Sequence, residues 1–173
     1  AWNRIDAGSG LLATHLPDNL AGRAADLGAG WGFLSDAMLA KNPGISDIDL
    51  FEADARALDL ARSNLAAHGE KHTLAFHWHD VASGLPQAAP YDVIISNPPF
   101  HDTGKSPQPE LGQRFLHAAA NALSPRGVFW LVANAQLPYE ALLAERFKQV
   151  RGVASANGYK VIEAREPKMA RMQ

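Results

Sequence analysis

A chain of 173 residues suits one domain with a sizeable core, and 47% hydrophobic with 20% charged residues is ordinary for a globular protein. The net charge of −2 carries no electrostatic signature of a nucleic-acid binder, and the absence of cysteine excludes disulfides, thiolate metal sites and a cysteine nucleophile. No apolar run reaches membrane-spanning length and no signal peptide is visible, so neither a membrane partner nor export is expected, and the expected location is the cytoplasm.

The chain opens with Ala1-Trp2-Asn3-Arg4, without methionine, which fits one part of a longer protein or a processed chain. Leu11, Leu12 and Leu16 recur at helical spacing before Pro17 and predict a short helix from Ser9 to Leu16. That helix either packs only, or closes over a cofactor with the polar groups of Asp6 to Ser9 beside it. Gly22–Leu27 reads as a strand and Phe33–Lys41 as a helix ended by Asn42-Pro43-Gly44. Ile45–Phe51 is a second strand, and Asp54–His68 a helix with Ala55, Leu58, Ala61 and Leu65 on its apolar face. Further strands are expected at Thr73–Trp78, Tyr91–Ser96 and Val128–Ala133, with helices at Glu110–Leu123 and Tyr139–Phe147. Gly104 to Gly112 reads as a loop. Two final strands, near Gly152–Ala156 and Lys160–Arg165, flank Asn157-Gly158, a hairpin signal. Alternating strands and helices predict an α/β fold with a mostly parallel, seven-stranded sheet covered on both faces and an antiparallel hairpin at its carboxyl end. No linker is visible, so residues 1–173 form a single domain.

Three features carry chemistry. Gly28-Ala29-Gly30-Trp31-Gly32 follows the first strand as a G-x-G-x-G turn, in which glycine lets the backbone bend sharply and approach a ligand. Asp26 precedes that turn, Glu52-Ala53 follows the second strand and Asp80-Val81 follows the third. Acids at consecutive strand ends suit a ligand with hydroxyls, an amine and a positive centre rather than a phosphate. S-adenosylmethionine has all three. The third feature is Asn97-Pro98-Pro99-Phe100, at the carboxyl end of the fourth strand, where an open α/β sheet binds ligands. Its prolines fix φ and remove two donors, so a stiff turn presents an amide and a ring to a flat substrate. His77 and His79 share one strand face, but no third ligand is evident and no metal is expected. Lys160, Arg165, Lys168 and Arg171 read as a solvated basic surface, or as contacts to RNA phosphate.

Together these motifs resemble class I S-adenosylmethionine-dependent methyltransferases with their Rossmann-like sandwich. The resemblance is narrowest to the small-domain group containing the bacterial 16S and 23S ribosomal RNA guanine-N2 methyltransferases. It is carried by Ile94-Ile95-Ser96-Asn97-Pro98-Pro99-Phe100-His101-Asp102, by Val132-Ala133-Asn134-Ala135-Gln136-Leu137-Pro138-Tyr139 and by Arg4-Ile5-Asp6-Ala7-Gly8-Ser9-Gly10-Leu11-Leu12. Thr103 before Gly104 departs from the group, which has glycine directly after its His-Asp pair. The resemblance implies S-adenosylmethionine as cofactor, with Asp26, Gly28, Gly30, Glu52, Ala53, Asp80, Val81 and Asn97 around it. It implies guanine N2 as acceptor, 16S favoured, with ribosomal RNA or the small ribosomal subunit as partner and an RNA-binding amino-terminal domain beyond this chain. Asn97 and the Pro98 carbonyl would hold the amine hydrogens and aim its lone pair, while Pro99, Phe100 and His101 hold the base. Methylation of adenine N6 or of a protein glutamine is the competing enzymatic reading, and an inactive RNA-binding module the non-enzymatic one.

Overall fold

Apolar runs such as Val93-Ile94-Ile95 and Phe129-Trp130-Leu131-Val132 bury alternate residues on opposite faces of a pleated sheet, so both faces must be covered. The computed structural model, which describes residues 6–86, 90–100 and 109–169, meets that demand with three layers. Its elements are α1 (Ala7–His15), β1 (Gly22–Leu27), α2 (Phe33–Lys41), β2 (Ile45–Glu52), α3 (Ala55–Leu65), β3 (Thr73–Trp78), β4 (Tyr91–Ser96), α4 (Pro109–Ala122), β5 (Leu123–Asn134), α5 (Tyr139–Arg146), β6 (Phe147–Ala156) and β7 (Tyr159–Pro167). The sheet order is β3-β2-β1-β4-β5-β7-β6, with β1 to β5 parallel and β7 antiparallel to both β5 and β6. This is the Rossmann-like methyltransferase architecture, hairpin included.

On one face, Ile94, Phe129, Leu131 and Ile162 pack under Phe115, Leu116 and Ala119 of α4 and Leu143 of α5. On the other, Val93, Ile95, Trp130 and Val132 pack under Leu12 of α1, Leu34 and Met38 of α2 and Leu65 of α3. The chain winds outward from β1 to β3 and then crosses back to β4, so β1 and β4 lie side by side with Leu27 opposite Ser96. That reversal opens a crevice above the carboxyl ends of the two strands.

Several element ends differ from the sequence reading. The helix expected over Asp54–His68 stops at Leu65 and tightens into a 3₁₀ turn over Ala66–Glu70, with Asp54 as its N-cap. β5 starts five positions before Val128 because Leu123 pairs with Tyr91 across an irregularity in register. β6 starts at Phe147, well before Gly152. Its Lys148, Gln149 and Arg151 are exposed on the sheet edge, and such polar edge residues hide a strand from an apolar pattern. Of the loop expected over Gly104 to Gly112, Pro109 to Gly112 form the first turn of α4, where proline is well tolerated. Residues 101–108 lie outside the described residues. Asn157 and Gly158 turn the hairpin with φ of 53° and 82°, the left-handed pair a tight two-residue turn requires.

Candidate active site

After Leu27 the backbone leaves β1 through Gly28 and Gly30, at φ of 76° and 57°. The amides of Gly28 and Ala29 both donate to Phe51 O, at 2.9 and 3.0 Å, which hangs the turn on the end of β2. Glu52 finishes the clamp: Oε1 accepts from Gly30 N at 2.7 Å and Oε2 from Asp54 N at 2.8 Å. Each oxygen keeps capacity for a second donor, which is what two adjacent ligand hydroxyls need. A Cβ on Gly30 would meet nothing within 4 Å, so that residue faces open space. One on Gly28 would lie 3.1 Å from the Phe115 ring.

Two cavities flank Gly28. The first, of ≈ 240 Å³, is lined by Glu52, Ala53, Asp80, Val81, Pro99 and Phe115, among others. Asp80 accepts from Ala82 N at 3.0 Å and so caps the short 3₁₀ turn Val81–Ser83, which fixes its carboxylate at the rim. The second, of ≈ 230 Å³, is lined by Asp6, Ser9, Gly30, Trp31, Phe33 and Asn97, among others. Among the described residues, the two linings hold three carboxylates, Asp6, Glu52 and Asp80, and no lysine or arginine. Such a cleft repels phosphate and favours a ligand with a positive centre.

The Asn97-Pro98-Pro99-Phe100 turn begins where Ser96 Oγ donates to Leu27 O at 2.6 Å, tying β4 to the start of the glycine turn. Asn97 lines the second cavity and donates through Nδ2 to Ser9 Oγ at 3.0 Å and Asp6 Oδ1 at 3.3 Å. Pro99 lines the first cavity. Pro98 is buried, and Phe100 is half-buried against the core that includes Phe115 and Leu116; neither borders the two cavities. His101 lies outside the described residues.

Asp26 is placed differently from the other acids. It is fully buried behind the glycine turn, lines neither cavity, and accepts from Ser35 Oγ of α2 at 2.6 Å, while Oδ1 has no partner among the described residues. Burial pushes its pKa up to about 7 against the Ser35 hydrogen bond, and the charge of Glu52 adds to the rise. The structure thus ties Asp26 to Ser35 in the first turn of α2 and brings it to neither cavity, unlike the cofactor contact expected for it.

Helix α1 packs on one side and borders a cavity at its amino-terminal end. Leu12 is wholly buried in the core, while Asp6 and Ser9 border the second cavity. Phe33, Leu111 and Phe115 line the cavities without having been singled out as site residues in the sequence; Trp31, noted there only within the glycine turn, and His79, noted only beside His77, line them too. Only Leu111 and Phe115 carried a signal, their spacing of four on one helix face. The imidazoles of His77 and His79 both lie against the Phe51 ring, and their Nε2 atoms are engaged by Asp49 Oδ1 at 2.8 Å and Gly84 O at 2.6 Å. The basic groups near the carboxyl end are mostly tied down. Lys160 bonds Leu137 O and Glu140, Arg165 pairs with Glu163, and Lys168 bonds Ala144 O. Arg171 lies outside the described residues.

The methyltransferase small domain family matches residues 1–163. The chain is 37% identical over 164 residues to ribosomal RNA small subunit methyltransferase C of Shewanella loihica, covering 94% of this chain and 46% of that protein. The namesake in Shewanella baltica is 38% identical over 159 residues, covering 91% and 44%. The chain thus spans less than half the length of these curated relatives. Among solved structures, the Thermus thermophilus 16S rRNA N2 G1207 methyltransferase RsmC, in complex with AdoMet and guanosine, matches with a TM-score of 0.78 and 32% identity over 95% of this chain and 44% of that one. An S-adenosylmethionine-dependent O-methyltransferase of Thermotoga maritima, 19% identical with a TM-score of 0.68 over 95% of this chain and 66% of that one, shares the fold.

Proposed function

Because the chain belongs to the methyltransferase small domain family, we propose that it transfers a methyl group from S-adenosylmethionine to the exocyclic N2 of a guanine in 16S ribosomal RNA. The observation that carries this reading is the cleft across the ends of β1, β2 and β4, with three carboxylates and, among the described residues, no cationic side chain in its lining. The names of the curated relatives, and the guanosine and AdoMet in the matched RsmC structure, support the same substrate pair.

S-adenosylmethionine supplies a methyl group on a sulfonium, and the residues of this chain supply its placement. Asp80 and Val81, with Ala53, border the part of the cleft suited to adenine. Glu52 takes the ribose hydroxyls on the lone pairs its backbone donors leave. Gly28, which borders both cavities, and Gly30, which borders the second, let the backbone pass close to the ligand, and Asp26 directly before that turn holds Ser35 of α2 from the interior. A guanine amine is a weak nucleophile because its lone pair is delocalised into the ring. Asn97 Oδ1 and the Pro98 carbonyl accept its two hydrogens and turn the lone pair to the methyl group, so orientation is the main source of rate. Pro99, Phe100 and His101 hold the base plane, and a base paired in a duplex must first be flipped out.

The partner is ribosomal RNA or the small subunit, met in the cytoplasm. We also propose that the chain is the catalytic carboxyl-terminal part of a longer protein whose amino-terminal domain adds RNA affinity, in keeping with the share of its relatives that it spans. Among the described residues no helix is long and apolar enough to cross a membrane. Replacing Asn97 by Ala tests the assignment. Methylation of 16S RNA is expected to fall by about 10²- to 10³-fold, as when a preorganised transition-state contact is lost. Calorimetry should find S-adenosylmethionine affinity nearly unchanged. Undiminished turnover in the variant would remove Asn97 from the chemistry.

A further inference from the structure

We infer that Asp6 is a positioning residue: acting with Ser9, it locks the Asn97 amide with its oxygen turned to the substrate. The inference rests on the role proposed above for Asn97. Its basis is the direction that proton bookkeeping forces on three side chains from two distant parts of the sequence.

An ionised carboxylate only accepts hydrogen bonds. Asp6 Oδ2 lies 3.0 Å from Ser9 Oγ, so the single hydroxyl proton of Ser9 points to Asp6. Towards Asn97, 3.0 Å away, Ser9 Oγ can then only accept. Asp6 Oδ1, 3.3 Å from the same amide, can only accept as well. Two acceptors therefore face one end of the Asn97 side chain, and that end must be Nδ2. Its Oδ1 is left on the other side, available to an amine hydrogen. With the amide reversed, an oxygen would face two oxygens and both bonds would be lost. A lone asparagine at a strand end has no such preference; here it is imposed by a charged group through a buried hydroxyl, since Ser9 is only 8% exposed.

The same carboxylate caps α1, because Asp6 Oδ1 also accepts from Ser9 N at 2.8 Å. Capping and locking separate by substitution. Serine is as good an N-cap as aspartate, but it offers one oxygen where the lock uses two. Ser9→Ala leaves the Asp6 cap in place and removes the relay.

The test reads the Asn97 side-chain amide by ¹⁵N nuclear magnetic resonance on this chain, and methyl transfer to 16S RNA, in Asp6→Ser and Ser9→Ala. Both should move the Asn97 Nδ2 proton signals and lower kcat by about 10- to 100-fold, the usual cost of losing a group that orients another. In Ser9→Ala, which keeps the Asp6 carboxylate, KM for S-adenosylmethionine should stay within about twofold and the melting temperature within about 3 °C, which a merely structural role would not combine with a kcat loss; Asp6→Ser, which removes one of the three carboxylates of the cleft, is read by its amide signals and kcat. Should Asp6→Ser not fold, Ser9→Ala alone decides. Unmoved amide signals, or an unchanged kcat in a parent chain that turns over, would overturn the lock. Absence of turnover in the parent chain itself would count against the proposed reaction, and the amide signals would still judge the lock.

Discussion

Asp26 and Glu52 are two acids at neighbouring strand ends with opposite circumstances. Asp26 is shut away from water and its pKa is raised to about 7, chiefly by burial. In the unfolded chain an aspartate titrates near about 4. Between those values the folded protein binds the extra proton, so stability falls as pH rises from about 4 and levels off above about 7. Relative to Asp26→Asn, the parent should lose up to roughly 4 kcal/mol between pH 4 and 8, read from urea unfolding at several pH values. Parallel curves for the two proteins would contradict it. Asp49 and Glu163 titrate in the other direction. Burial acts to raise both, but hydrogen bonds from Tyr91 and His77 to Asp49, and from Arg165 and Arg151 to Glu163, outweigh it and lower them. Their contribution is present above the ordinary carboxylate range and lost on acidification through their folded values, at the acid end of that scan. Glu52 instead borders the cleft with a backbone donor on each oxygen. Glu52→Gln turns one acceptor into a donor aimed at another donor, so S-adenosylmethionine affinity should fall about tenfold or more by calorimetry. An affinity within twofold of the parent would remove Glu52 from the ligand.

At the scale of elements, α4 meets the site at Gly112. A Cβ there would sit 1.8 Å from Tyr139 Oη and 3.4 Å from Pro99 O, and Tyr139 is too deeply buried to step aside. Gly112→Ala should therefore destabilise by about 1–3 kcal/mol in urea unfolding. Gly69→Ala, where a Cβ meets nothing within 4 Å, should change stability by less than about 1 kcal/mol. Equal effects at the two positions would show that α4 does not close on Tyr139 as described. The sheet and most helices were legible in the sequence because burial on both faces writes long apolar runs, and because Asn157-Gly158 marks its own turn. β6 was legible only in part: an edge strand needs no continuous apolar face, and the polar Lys148, Gln149 and Arg151 carry no strand pattern. The strand-end residues Asp26, Glu52, Asp80 and Asn97 were visible for the same reason as the strands. The bond between Asn97 and Ser9 was not, because it joins positions 88 residues apart across a helix whose leucines announce only packing. Nor did Asp26 announce its burial, since a strand-end acid looks alike whether it faces a ligand or the interior.

For the molecule as a whole, winding outward from β1 and back to β4 brings the glycine turn and the Asn97 turn together, with Leu27 beside Ser96. The three carboxylates and Asn97 then arrive from strand ends and from the start of α1, while Phe33 of α2 and Leu111 and Phe115 of α4 add apolar wall. A chain with net charge −2 and an acidic cleft has little attraction for RNA phosphate, which is the physical case for a further RNA-binding part. A protein that joins the proposed amino-terminal domain to this chain should accordingly bind 16S RNA far more tightly than this chain alone, with a steeper loss in salt, while the two bind S-adenosylmethionine alike. Equal RNA affinity in gel-shift titrations at two salt concentrations would contradict that division of labour. The central claim is tested most directly by supplying methyl-labelled S-adenosylmethionine with 16S RNA, digesting the product to nucleosides and separating them by liquid chromatography and mass spectrometry. Label in N2-methylguanosine, lowered about 10²- to 10³-fold with Asn97→Ala, is the predicted result; label in N6-methyladenosine instead, or in no nucleoside, would contradict it.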